Sequence, residues 1–202
     1  MKKSKLLSEA ILIISVLFLP ACQSDKTYQI GEINTPQGTI WVWLYDETPQ
    51  HKAAFIELAS SGYWDDYTFN RVIEDFVAQG GCPDTREGFA YSIHLLEPEF
   101  NPNLKHVYGA LGAGRDDNPK MLSAACQFYI VQNQEGLHRL DNAYTVYGQV
   151  IKGMDVVDQI VKLPKDTLNK PLEDVQLKVR MIDVSPKEIE TTGFDLETYS
   201  FK

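Results

Sequence analysis

Apolar and polar positions sort most of this chain into short strands separated by turn residues. Residues 28–33 alternate, and residues 39–45 (Thr-Ile-Trp-Val-Trp-Leu-Tyr) are strongly β-prone. Thr35-Pro36-Gln37-Gly38 between them predicts a hairpin with a loop of 3–5 residues. Thr48-Pro49 predicts a helix start with a hydroxyl cap, Ala54, Phe55, Leu58 and Ala59 carry the helical period, and Gly62 stops it. Residues 69–81 read as two short strands joined by a tight turn. A regular pleat there sets Phe69, Arg71 and Ile73 on one face and Asn70 and Val72 on the other. Residues 83–105 and 115–125 are irregular. Residues 108–114, 127–131, 145–150 and 175–184 read as strands. The glycines in 108–114 imply close approach of another backbone. Residues 154–163 predict a second helix with Val157, Ile160 and Val161 inward, and residues 188–202 a polar tail. Many short strands and two distant helices predict a β-barrel or sandwich.

At 202 residues, with ordinary apolar and charged fractions, the chain suits one domain with a sizeable core. Its formal net charge of −9 argues against a phosphate-binding surface and hence against nucleic acid. The first residues change the picture more. Lys2, Lys3 and Lys5 precede an apolar run over residues 10–19, and Leu19-Pro20-Ala21-Cys22 closes it. That is the layout of a secretory signal. The small residue before a cysteine resembles a bacterial lipoprotein signal, although Pro20 is unusual there. The resemblance implies lipidation of Cys22; the alternative is an ordinary cleaved signal that leaves Cys22 free. Residues 1–21 are then removed, residues 22–27 form a lipidated tether, residues 28–185 the folded domain, and residues 186–202 the tail. Cys82 and Cys126 form either a disulfide or two buried thiols.

Residues 69–81 read Phe-Asn-Arg-Val-Ile-Glu-Asp-Phe-Val-Ala-Gln-Gly-Gly. Phe-x-Arg-Val-Ile-x-x-Phe-x-x-Gln-Gly-Gly resembles the signature of the cyclophilins, the peptidyl-prolyl cis/trans isomerases. Gln127-Phe128-Tyr129-Ile130, Leu140-Asp141-x-x-Tyr144-Thr145-Val146-Tyr147-Gly148 and the start of the second helix are similar to further family segments, so the resemblance spans residues 28–184. It implies a mainly β fold: a closed eight-stranded antiparallel barrel capped by two helices. It implies Arg71 as the catalytic residue. Phe76, Val77, Tyr129 and Leu140 would form the proline pocket. Gln79, the backbone near Gly114 and Arg115, Gln127 and Tyr144 would hold the peptide. No cofactor or metal is implied, and the partners expected are proline-containing polypeptides and a membrane, met by a monomer. Together with the signal, it implies an isomerase for exported proteins, lipid-anchored outside the cytoplasm, most simply at the outer membrane. The alternative is a catalytically weak proline-binding module or chaperone on the same fold. Asn70, Val77 and Arg139 depart from the family's frequent histidine, methionine and tryptophan; the tryptophan is linked to cyclosporin binding. His51, His94, His106 and His138 lack metal-ligand spacing and read as surface or internally satisfied histidines.

Overall fold

The computed structural model describes residues 26–83, 94–198 and 200–201. The signal segment, Cys22 and residues 84–93 of the first long loop lie outside these. In chain order the strands are β1 (Tyr28–Thr35), β2 (Gly38–Leu44), β3 (Thr68–Ile73), β4 (Val77–Gly81), β5 (Leu95–Leu96), β6 (Ala110–Ala113), β7 (Ser123–Ala124), β8 (Gln127–Val131), β9 (Val146–Lys152), β10 (Val175–Gln176), β11 (Lys178–Val184), β12 (Phe194–Asp195) and β13 (Ser200–Phe201). The α-helices are α1 (Pro49–Ser61), α2 (Met154–Val161) and α3 (Pro186–Glu190).

Nine strands form one antiparallel sheet in the order β10-β3-β4-β8-β6-β9-β2-β1-β11. The expectation of a closed eight-stranded barrel with two helices therefore needs correction. The sheet is curled, its ladder counts nine strands with no hydrogen-bonded pairing between the end strands β10 and β11, and the described residues form three α-helices. The cause of the extra strand is a single tertiary contact. β10 and β11 are one run interrupted at Leu177, whose N–H donates to the carbonyl of Tyr67, so β10 pairs with β3 while β11 pairs with β1.

Side chains alternate cleanly between two faces. On β2, Ile40, Val42 and Leu44 enter the main core, with Phe55 and Leu58 of α1 and Val157 and Ile160 of α2. Trp43 and Tyr45 enter a second cluster on the opposite face. The segment expected as a polar tail helps to cover that second face. Ser185 and Glu188 cap α3 reciprocally, Ile189 is buried, and the Phe194 ring sits 5.9 Å from Trp43.

Two local expectations fail for identifiable reasons. The β1–β2 turn holds only Pro36 and Gln37, because the Thr35 hydroxyl accepts from the N–H groups of Gln37 and Gly38 and tightens it. Thr48 does not cap α1. The Glu99 carboxylate, far along the chain, accepts from the N–H groups of Gln50 and His51 at 3.1 and 3.0 Å. A charge at a helix N-terminus outcompetes a hydroxyl. Cys82 and Cys126 are joined in a disulfide.

Candidate active site

The site is a row across four strands. Arg71 on β3 pairs with Gln79 on β4, Gln79 with Tyr129 on β8, and Tyr129 with Gly112 on β6. A regular pleat would send Arg71 to the same side as Phe69. The β3–β4 register shifts between Phe69 and Arg71 instead. Phe69 and Val72 both enter the main core, while Arg71 emerges on the opposite face. The face assignment made from strict alternation is thus corrected by a bulge at Asn70. The Asn70 amide donates to the carbonyls of Gly81 and Cys82 at 2.8 and 3.2 Å, which holds the bulge. Bulges beside functional sites re-aim side chains in this way.

Small residues on β6 make room. A Cβ at Gly112 would stand 2.2 Å from the Tyr129 ring, and one at Gly114 would stand 2.0 Å from the side-chain oxygen of Gln127. The close approach inferred from these glycines is by side chains, not by another backbone.

Arg71, Phe76, Val77, Gln79, Gly114, Arg115, Gln127, Tyr129, Leu140 and Tyr144 all line one groove of about 300 Å³, and Arg139 joins them. Arg71 donates from one Nη to the Gln79 side-chain oxygen at 3.1 Å and lies 5.6 Å from the Phe76 ring centre. Gln79 is buried, so the arginine leaves a fixed base. Tyr129 and Tyr144 meet edge to face at 6.2 Å. Two of the positions are already engaged. The Gly114 N–H donates to Gln127 O and its carbonyl accepts from Ala124, leaving that oxygen one further lone pair. The Gln127 amide donates to Cys82 O at 3.0 Å, so the disulfide anchors the strand that carries it.

Behind the groove runs a buried polar chain that sequence reading did not connect. The Tyr129 hydroxyl is 2.8 Å from His106 Nε2, and His106 Nδ1 is 2.9 Å from Asp141. Burial lowers the His106 pKa despite the hydrogen bond it donates to Asp141, so the ring is neutral near pH 7. Burial alone would raise Asp141. The backbone and ring N–H groups of His106, with His138, outweigh it and hold the carboxyl at about 2. Burial raises the Tyr129 phenol well above its ordinary value. An ionised Asp141 must accept from Nδ1–H, which leaves Nε2 to accept from the tyrosine hydroxyl. The chain therefore has one polarity and fixes the ring that walls the groove. The sequence reading of His106 as a surface or internally satisfied histidine leaves its partners unnamed, and the structure places it fully buried. The Tyr129 hydroxyl, a polar tip on an otherwise apolar run, was the available signal.

The fold and this groove define a class, and comparison with known proteins agrees with it. The family model "Cyclophilin type peptidyl-prolyl cis-trans isomerase/CLD" matches residues 30–181. A peptidyl-prolyl cis-trans isomerase of Acinetobacter baylyi is 33% identical over 190 residues, covering 92% of this chain and 99% of its own. A peptidyl-prolyl cis-trans isomerase-like 3 of Dictyostelium discoideum is 32% identical over 162 residues, covering 76% and 95%. The crystal structure of a Cryptosporidium parvum cyclophilin-type isomerase in the presence of the dipeptide Ala-Pro superposes with a TM-score of 0.66 at 25% identity, covering 76% of this chain and 98% of that one. The chain belongs to the cyclophilin-type peptidyl-prolyl cis-trans isomerase family.

Proposed function

We propose that this protein isomerises X–Pro bonds of exported polypeptides, with Arg71 stabilising the twisted amide. The observation that carries this reading is the placing of Arg71, tied to buried Gln79, beside an apolar wall of Phe76, Val77, Tyr129 and Leu140. Amide resonance sets a rotation barrier of about 18–20 kcal/mol, and uncatalysed prolyl isomerisation takes roughly 10–100 s. Twisting pyramidalises the prolyl nitrogen and makes its lone pair basic. A guanidinium held in place can donate to that nitrogen only in the twisted geometry, which is differential transition-state binding. Arginine suits the task because it stays charged and presents rigid donors. The apolar wall grips the pyrrolidine ring, and Gln127 and Tyr144 flank the peptide. The dipeptide in the Cryptosporidium relative supports a proline-containing substrate.

Arg71→Ala should lower kcat/KM on a short prolyl peptide by about 10²- to 10³-fold, with an unchanged unfolding midpoint. A fully active variant places the mechanism elsewhere, and an unfolded one makes Arg71 structural.

The reading places the protein outside the cytoplasm, anchored through lipidated Cys22. The signal layout and the disulfide both support it. Two or more acyl chains make such an anchor stable.

A further inference from the structure

The groove is cationic in an acidic chain. Four arginines are described, and the one remote from the groove, Arg180, forms a two-pronged ion pair with Asp65 at 2.7 and 2.6 Å. The three that line the groove, Arg71, Arg115 and Arg139, have no carboxylate partner among the described residues. Aromatic rings orient them instead. Arg115 lies 4.4 Å from the Tyr144 ring centre and Arg139 lies 5.0 Å from that of Phe76. Stacking fixes a guanidinium without using its N–H donors. Arg71 spends one donor on Gln79, and Arg115 spends two on the carbonyls of Ala143 and Asp116. Arg139 is exposed at the groove's rim, and its guanidinium makes no hydrogen bond or ion pair among the described residues.

The neighbouring acids do not neutralise this patch. Asp116 follows Arg115 in the chain but turns its carboxylate to the Asn118 amide at 2.8 Å. Among the described residues, no acidic side chain lines the groove. The rest of the chain is negative, but its charges are screened over roughly 8 Å at physiological salt, so a ligand in the groove responds chiefly to the groove's own residues.

We infer that the groove selects prolines flanked by an acidic residue, Asp or Glu next to the proline, with Arg139 as the specificity-determining residue and Arg115 in support. This rests on the isomerase reading and names its substrate class. A carboxylate beside the bound proline would meet a pre-oriented guanidinium fork able to accept it through two hydrogen bonds. Lysine at the same position would meet like charge.

The experiment compares peptides of the form Ala-X-Pro-Phe with X as Ala, Glu or Lys, and Ala-Ala-Pro-Glu, on the wild type and on Arg139→Gln. Isomerisation rates and equilibrium binding are both measured. The expected result is a kcat/KM about three- to tenfold higher for a Glu peptide than for the Ala peptide, and lower for the Lys peptide. The Glu-to-Ala ratio should fall towards one in Arg139→Gln, and in the wild type at about 1 M salt, where the screening length is about 3 Å. Equal handling of Glu and Ala peptides by the wild type, or a preference untouched by Arg139→Gln, overturns the inference. Absence of turnover on every peptide would overturn the isomerase reading instead, and the binding ratio would still decide the selectivity.

Discussion

Single residues carry the site, and their identities were more legible than their positions. The order Phe-x-Arg-Val-Ile with Phe, Gln and Gly-Gly at fixed offsets pointed to Arg71, Phe76 and Gln79 before any geometry. Which way Arg71 faces was not legible, because period-two reasoning assumes an unbroken pleat and one extra residue reverses it. The Asp141–His106–Tyr129 chain was hidden for a different reason. Its members lie 35 and 23 residues apart, and only the fold brings them together. That chain makes a prediction about pH. His106 and His51 are both buried, with pKa values lowered by burial, while in the unfolded chain they return to the ordinary 6.5. Over the interval between the lowered and the ordinary value the unfolded state binds more protons. Stability is therefore complete above pH 6.5 and falls as pH is lowered towards the folded pKa values. The charged groups facing His106 are Asp141, His138 and Lys105; Glu99 faces His51. Urea unfolding at pH 7.5 and 5.5 should show this loss in the wild type, and His106→Asn should retain only the part due to His51. An unchanged pH slope in His106→Asn would remove His106 from the account.

Elements were legible where they were long enough to show a period. Strands β1 to β4, β8 and β9 and both longer helices fell close to where alternation and the helical repeat put them. The two-residue strands β5 and β7 were not legible, since two residues show no period, and they pair only because the chain returns there. The α1 cap failed for a related reason: its true acceptor, Glu99, is distant in sequence. Strand β6 shows an element serving a site without touching chemistry. Gly112 within it and Gly114 just beyond it leave room for the Tyr129 ring and the Gln127 side chain. Gly112→Ala should therefore cost about 1–3 kcal/mol by overpacking, and should weaken peptide binding by displacing the Tyr129 ring. Adding Tyr129→Leu should relieve the clash without recovering full stability or turnover, because His106 Nε2 loses its buried hydroxyl partner and the groove loses its wall. If Gly112→Ala alone keeps full stability and binding, the ring does not depend on that gap.

At the scale of the whole molecule, one run of chain, residues 175–184, occupies both outer positions of the sheet. The sheet curls around the main core, and its opposite face carries the second cluster and the groove. The pattern of short strands and turn residues foretold a mainly β fold but could not count its strands, because the break at Leu177 is a tertiary event. Nor could it decide the state of Cys82 and Cys126, which the fold brings to a Cα separation of 5.4 Å. Their disulfide closes a 44-residue separation, worth about 4 kcal/mol in the chain-entropy account. It also holds together the strand ends that carry Gly81 and Gln127. Such a bond persists only where the surroundings are oxidising, so the stability of this molecule is tied to its compartment. The Cys22→Ser variant tests that link and the anchor together. It should move from the membrane to a soluble extracytoplasmic fraction, keep prolyl turnover, and show no free thiol, since its two remaining cysteines are paired. Reduction should then lower its stability by about 4 kcal/mol. A variant that stays with the membrane would end the lipid-anchor proposal. One recovered from the cytosol with two reactive thiols would end the extracytoplasmic one.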